Sequence, residues 1–410
     1  MTDLNGIRAL DRSDPLAACR EQFHLPADMI YLDGNSLGAM PKSVRSRMET
    51  VVGDEWGEAL IGSWGARWFD LPVLVGNQIA PLIGATEGEV VVGDSTSVNL
   101  FKLLSAALTL RPGRKTILTE VDNFPTDNYI VQGLARQIGD IEIRYAPIDA
   151  DLRQMFDDSV AAVLLTHVNY RTAAIHDMTA ITRAAHDAGA LAIWDLSHTT
   201  GAMPVDLDAS DVDLAVGCTY KYLNGGPGAP AFSYVAQRLC RRIVQPLSGW
   251  MGHDAPFDFA MNYEPARSIR RFICGTPQIL SLSALSDALM VFADVDMRAV
   301  RDKSMRMTSL FIHLIDVECA DFDIRVVSPR TAERRGSHVS LSCPDGYPIM
   351  RALAERGVVG DFRAPDLMRF GFAPLYCSYE DVYRAALILR DVMRSGEWRA
   401  DRFSQKQIVT

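Results

Sequence analysis

The chain has 410 residues, 48% of them hydrophobic and 22% charged, an ordinary balance for a soluble globular protein with a large core and two packing units. A net charge of −10 argues against a nucleic-acid or anionic-membrane surface as the main partner, so any phosphate site must be a local electropositive pocket. The seven cysteines are scattered and never paired as CxxC, which fits a reducing compartment better than a disulfide framework and gives no zinc site. The opening residues MTDLNGIRALDRSD have no basic-then-apolar layout and no apolar run approaches membrane-spanning length, so a cytoplasmic protein is expected.

In chain order, short β-rich runs begin at Glu89, Lys115, Ile141, Val160, Leu191 and Asp213. Segments of helical spacing lie between them, from Val98 and from Met178, each ending near glycine. Buried strands alternating with helices predict an α/β fold on a mostly parallel, doubly covered sheet. From Ile279 to Val300 one long helix is expected to leave this region. The remainder, with a strand over Ser337–Cys343 and a final helix from Glu380, reads as a smaller α/β unit. The division expected is 1–45, packing with the small unit, 46–300 as the large domain and 301–410 as the small one. Ser328–Gly336 is polar and reads as a surface turn.

The run DSTSVNL from Asp94 follows the first strand and opens a helix. Ser95, Thr96 and Ser97 make either an ordinary N-cap or a phosphate cradle favoured by free N–H groups and the helix dipole. In NFPTD from Asn123, Phe124 is either a turn aromatic or the face on which a heteroaromatic ring stacks, with Pro125 fixing the turn and Asp127 near the ring edge. Thr166 and Asp195 end strands, so both face the crevice where open α/β sheets bind ligands. A carboxylate ending the apolar run ALAIWD needs a partner, whether a pyridinium N–H, a helix N-terminus or an arginine. His198 either contacts a phosphate or caps the next turn.

Lys221 lies in CTYKYLNGGPGA, between two tyrosines and before Gly225, Gly226 and Gly228, which permit close backbone approach. With Asp195 upstream, it reads as the amine that binds the aldehyde of pyridoxal phosphate (PLP), while the carboxylate keeps the ring nitrogen protonated. Tyr220 is a phosphate ligand, an acid/base group, or both. By themselves GWMGH with Trp250 and RFICGTP with Thr276 read as turn and packing residues. Arg369, in DLMRFGFAPLY, is either a surface arginine or a fork for an α-carboxylate.

Together and in this order, DGNSLG from Asp33, NFPTD, WDLSH from Trp194, CTYKYLN from Cys218, GWMGH and RFICGTP resemble the kynureninases, and the match runs from Tyr31 to Tyr376. The resemblance implies the aspartate-aminotransferase fold (fold type I), with a seven-stranded, mostly parallel sheet in the large domain and a small domain built from both chain ends. It implies Lys221, Tyr220 and Asp195 as catalytic residues. It further implies a PLP shell of Thr96, Ser97, Phe124, Pro125, Thr126, Asp127, Thr166, Asp195, His198, Tyr220 and Lys221, with Trp250 and Thr276 contributed across a homodimer interface. Arg369, Ser36 and Trp64 are the implied substrate contacts, and no metal is involved.

The implied reaction is L-kynurenine plus water giving anthranilate and L-alanine, in tryptophan catabolism. Thr276 stands where the animal enzymes carry asparagine, and the WGARW run from Trp64 lacks their substrate-contacting histidine. Both departures favour plain L-kynurenine over 3-hydroxykynurenine, as in bacterial relatives. Two rivals stand beside this reading. A cysteine desulfurase of the same fold would need a mobile thiol, for which Cys343 before Pro344 is a poor setting. A silent PLP-binding scaffold would have no need of Lys221, Asp195 and Arg369 together.

Overall fold

Val160–Thr166 is apolar at nearly every position, the pattern of a strand buried on both faces, and it lies inside a seven-stranded sheet. The computed structural model describes residues 3–405. The strands are β1 (Val90–Val92), β2 (Thr116–Glu120), β3 (Glu142–Ala146), β4 (Val160–Thr166), β5 (Leu191–Asp195), β6 (Leu214–Gly217) and β7 (Phe232–Val235). Their spatial order is β1-β7-β6-β5-β4-β2-β3. β7 runs antiparallel to both neighbours, and every other pair is parallel. β7 is the strand that the sequence reading missed, because its four residues follow a Gly- and Pro-rich turn and offer no clear run.

Helices α1 (Thr96–Leu110), α2 (Pro125–Ile138) and α3 (Met178–Asp187) cover the sheet. Alternation along the strands sorts the core into two layers. Ile117, Leu164, Ile193 and Val216 pack with Leu100, Leu103 and Leu104 of α1. Leu118, Val163, Leu165 and Trp194 pack with Ile181 and Ala185 of α3 on the other face.

The single long helix expected from Ile279 is two helices. α4 (Ile279–Ala288) ends in a 3-10 turn over Leu289–Phe292, and α5 (Met297–Glu318) starts afresh. Asp296 caps α5 by accepting from Arg298 N at 2.8 Å, a start signal hidden inside an apolar run. Ser328–Gly336 holds one residue that the sequence reading did not single out. Arg335 in it is wholly buried, and its guanidinium donates to the carbonyls of Pro329 and Arg330 and to the hydroxyls of Thr308 and Ser309. The stretch is a surface turn, with Arg330, Thr331, Glu333 and Arg334 exposed, that wraps around its own buried arginine.

The smaller sheet comprises β8 (Arg325–Val326), β9 (His338–Ser342), β10 (Asp361–Arg363) and β11 (Leu367–Gly371), in the antiparallel order β8-β9-β11-β10. One face presents Val339, Leu341, Met368 and Phe370 to the core, where Phe370 meets Phe311 of α5 at 5.0 Å between ring centres. The other face carries His338, Ser340, Arg369 and Asp361, all buried. α6 (Tyr379–Ser395) opens with a capping box between Ser378 and Asp381. The helix Leu4–Arg12 lies against it, with Asp11 accepting from Tyr379 N at 2.7 Å and Arg8 paired to Glu380 at 3.0 Å. Ile30–Tyr31 pairs in parallel with Val358–Val359.

Candidate active site

The carboxyl ends of β1, β2, β5 and β6 converge on one cavity of about 570 Å³. Its wall includes Thr96, Ser97, Phe124, Thr126, Asp127, Asp195, His198, Tyr220 and Lys221. Nine positions singled out in the sequence thus meet in one space, although 125 residues separate the first from the last (221 − 96).

Lys221 follows β6 in a turn held from several sides. Its Nζ lies 3.3 Å from His198 Nε2 and about 6 Å from the ring centres of Phe124 (5.9 Å) and Tyr220 (6.0 Å). Asn224 N donates to Lys221 O at 2.9 Å, and Gly225 N to Thr219 O at 2.9 Å. Asn224 and Gly226 take left-handed backbone angles, which lets the chain fold back under the lysine.

Asp195 ends β5 directly opposite Thr166 of β4. Its Oδ1 accepts from Ser197 N at 2.8 Å and Ser197 Oγ at 2.6 Å. Asp127, in the first turn of α2, accepts from Thr166 Oγ1 at 3.4 Å through Oδ2, while its buried Oδ1 has no partner. Burial raises both carboxyls above the usual range, and the charge on Asp195 raises Asp127 further. The Ser197 donors and the Lys221 charge counter this at Asp195. Lys221 lowers both carboxyls, while the Ser197 donors act on Asp195 alone, so Asp127 is the more strongly raised of the pair. His198 is pushed well below its ordinary value by burial and by Lys221, so it stays neutral, and its Nδ1 is also unpartnered.

At the end of β1, Ser95 caps α1 by accepting from Val98 N at 3.3 Å. The N–H groups of Thr96 and Ser97 belong to the first turn, where helix geometry supplies no partner. Asp94 beside them would repel an anion, but Lys102, buried within α1, pairs with its Oδ2 at 2.5 Å. Lys102 also donates to Phe272 O at 2.6 Å.

These features fit PLP. A helix N-terminus with spare donors suits the phosphate, and an acid pair with an orphaned buried oxygen suits a cationic ring N–H. Thr166 and Pro125 stand behind the wall rather than in it, as the β4 terminus and the first residue of α2. Asn123 ties Thr166 to the Phe124 turn, its Oδ1 accepting from Thr166 Oγ1 at 2.5 Å and from Phe124 N at 2.9 Å.

Arg369 and Ser36 lie together on the polar face of the small sheet, outside the cavity wall. Trp250 and Thr276 are exposed and likewise outside the wall, while Trp64 packs edge-on against Trp68 at 5.9 Å. Sequence reading missed Asn123, Ser197, Lys102, Tyr170 and Asp361. Asn123 and Ser197 lie inside the NFPTD and WDLSH runs, and Lys102 left its own signal, a cation inside an otherwise apolar helix. Among the described residues no group of His, Cys, Asp and Glu is placed to hold a metal ion.

Residues 300–389 match the family model described as the kynureninase C-terminal domain. The chain is 51% identical over 408 residues to a kynureninase of Burkholderia pseudomallei (strain 1106a), covering 98% of each. It is 49% identical over 416 residues to a kynureninase of Pseudomonas fluorescens, covering 100% of each. Among solved structures it is similar to a cysteine desulfurase from Thermococcus onnurineus NA1, with a TM-score of 0.77 at 18% identity over 92% of this chain and 98% of the other. The cysteine desulfurase CsdA from Escherichia coli gives a TM-score of 0.77 at 19% identity, over 93% and 98%. At that identity the two structures share the fold alone.

Proposed function

The chain belongs to the kynureninase family, and on that premise we infer that it uses water to break the Cβ–Cγ bond of L-kynurenine, releasing anthranilate and L-alanine. Its cofactor is PLP, and the reaction is a step of tryptophan catabolism. One observation carries the assignment of residues: Lys221, neutral His198 and the Asp127/Asp195 pair meet in one cavity beside a helix N-terminus. When bound, PLP supplies an aldehyde for the substrate amine and a ring that takes up the electron pair left at Cα.

Thr96 and Ser97 would hold the phosphate with their N–H and hydroxyl groups, Phe124 would cover the ring, and Asp195 would take the ring N–H. Thr126, Asp127, His198 and Tyr220 would complete that shell, with Thr166 and Pro125 behind it. Lys221 is the attachment residue and, once released, the base that takes the Cα proton. Neutral His198 accepts a hydrogen bond from its amine and keeps that amine aimed into the cavity. Tyr220 is our proton donor for the later steps. Its neighbour Cys218 and burial raise its phenol well above the usual value, so it holds its proton at neutral pH. Arg369 and Ser36 would anchor the substrate carboxylate, and Trp64 would contact the aromatic end.

Trp250 and Thr276 enter a site only across a homodimer interface, which we also propose. Exposed Phe257, Phe259 and Met261, the last 99% exposed, give that neighbourhood an apolar surface that a second copy would cover. We read the chain as 1–45 and 301–410 forming the small domain around 46–300, a division supported by the helix Leu4–Arg12 lying on α6. A cytoplasmic location is supported by the free state of all seven cysteines.

Mixing the PLP-loaded protein with L-kynurenine should release anthranilate, seen by its fluorescence, with 3-hydroxykynurenine the poorer substrate. Absence of anthranilate would sink the reading. The rival desulfurase lacks its nucleophile: Cys343 is buried at the end of β9, has its thiol raised by burial and is no part of the cavity wall.

A further inference from the structure

Ser340 of β9, Arg369 of β11 and Asp361 of β10 stand directly opposite one another across the small sheet. Arg369 donates from Nε to Asp361 Oδ1 at 2.7 Å and from Nη2 to Asp361 Oδ2, so the carboxylate grips the guanidinium side-on. Its Nη1 donates to Tyr170 O at 2.6 Å, and Nη2 also reaches Ser36 Oγ at 3.3 Å. Ser36 in turn donates to Asp361 Oδ2 at 2.5 Å. Arg363 brings Nη2 to 2.7 Å from the same oxygen, yet its side chain is 41% exposed where that of Arg369 is 2%.

A guanidinium is a planar fork with two edges suited to a carboxylate. With the Nε/Nη2 edge occupied by a carboxylate, the Nη1/Nη2 edge, which meets only the uncharged Tyr170 carbonyl and Ser36 hydroxyl, is the one left for a second anion. We propose that Asp361 is a positioning residue that fixes Arg369 with this end-on edge presented to the substrate α-carboxylate, while Arg363 balances Asp361 when that carboxylate arrives. The proposal rests on the reading of Arg369 as the carboxylate anchor. The local charge agrees with it. Asp33, the other acid facing the cluster, has its carboxyl pushed up to about 7 by burial and by Asp361, so below that pH two guanidiniums face one full carboxylate.

The test is Asp361→Asn in the PLP-loaded enzyme, with L-alanine and L-alaninamide as inhibitors that differ in the carboxylate alone. KM for L-kynurenine should rise roughly tenfold or more, the scale of one charge-assisted hydrogen bond, while kcat falls less than about threefold. Inhibition by L-alanine should weaken in the same proportion, and inhibition by L-alaninamide should hold. Equal weakening of both inhibitors would mean a loosened fold and would overturn the role, as would an unchanged KM. Asp361→Glu, which keeps the charge and adds one methylene, repeats the comparison where the asparagine variant does not fold. Arg369→Lys separates the two possible failures. If it leaves L-alanine inhibition intact, the anchor itself is wrong; if it alone weakens that inhibition, the anchor stands and Asp361 has no part in it.

Discussion

Gly38 donates its backbone N–H to the carbonyl of Tyr220 at 2.8 Å, and a Cβ on Gly38 would stand 2.2 Å from the carbonyl oxygen of Lys221. The DGNSLG run thus braces the lysine turn, while four residues before Gly38 its Gly34 packs against Tyr376. Gly38→Ala cannot be absorbed by moving the Asn224 side chain alone, since the other two of its three nearest atoms belong to backbone. We expect kcat/KM to fall roughly tenfold to a hundredfold, the scale of a small misplacement of a reacting group, with weaker PLP retention on dialysis. A variant with parental kinetics and PLP affinity would show the brace to be dispensable.

Lys221→Ala should abolish turnover and the absorbance band of lysine-bound PLP. The two acids should respond unequally. On the proposed assignment Asp195→Asn removes the carboxylate that would take the ring N–H, and it should lower kcat by roughly a hundredfold or more, as loss of a preorganised electrostatic contact does. Asp127→Asn replaces the carboxyl whose charge burial and Asp195 disfavour more, so its loss should be under about tenfold. Steady-state kinetics on both variants would reverse the assignment of the charge if the order were inverted.

Asp33 imposes a pH dependence on stability. Its carboxyl is raised to about 7 in the folded chain, chiefly by burial and then by Asp361. Between the ordinary carboxyl value and that figure the folded state holds a proton that the unfolded state has released, so this group's contribution to stability falls as pH rises and levels off above about 7. Asp33→Asn removes the titration. Its thermal midpoint relative to the parent should improve between pH 5 and pH 8, and a constant difference across that range would refute the linkage.

Arg335→Leu should lower unfolding free energy by about 2–4 kcal/mol, since it strands two carbonyls and two hydroxyls that the guanidinium now serves. Urea denaturation measures the loss, and kcat should stay near parental because the residue is outside the cavity wall.

Much of the fold was readable along the chain. Apolar runs such as Val160–Thr166 announced parallel strands, and Asp195 at a strand end followed by Lys221 in a glycine-rich turn announced the chemistry, because strand ends and φ-permissive turns are local properties. The α4–α5 break was legible only in hindsight, since a single capping aspartate competes with a long apolar pattern. What sequence could not reach were pairings made across the sheet or between distant loops. Asp361 meets Arg369 because two strands happen to align in register, Lys102 neutralises Asp94 through two turns of helix, and Arg335 folds a polar stretch around itself. Residue order alone set which side chains are the candidates for the chemistry. Their charge states and orientations were decided by the folded chain, because burial and the nearest opposing charge exist only once the strands have come together.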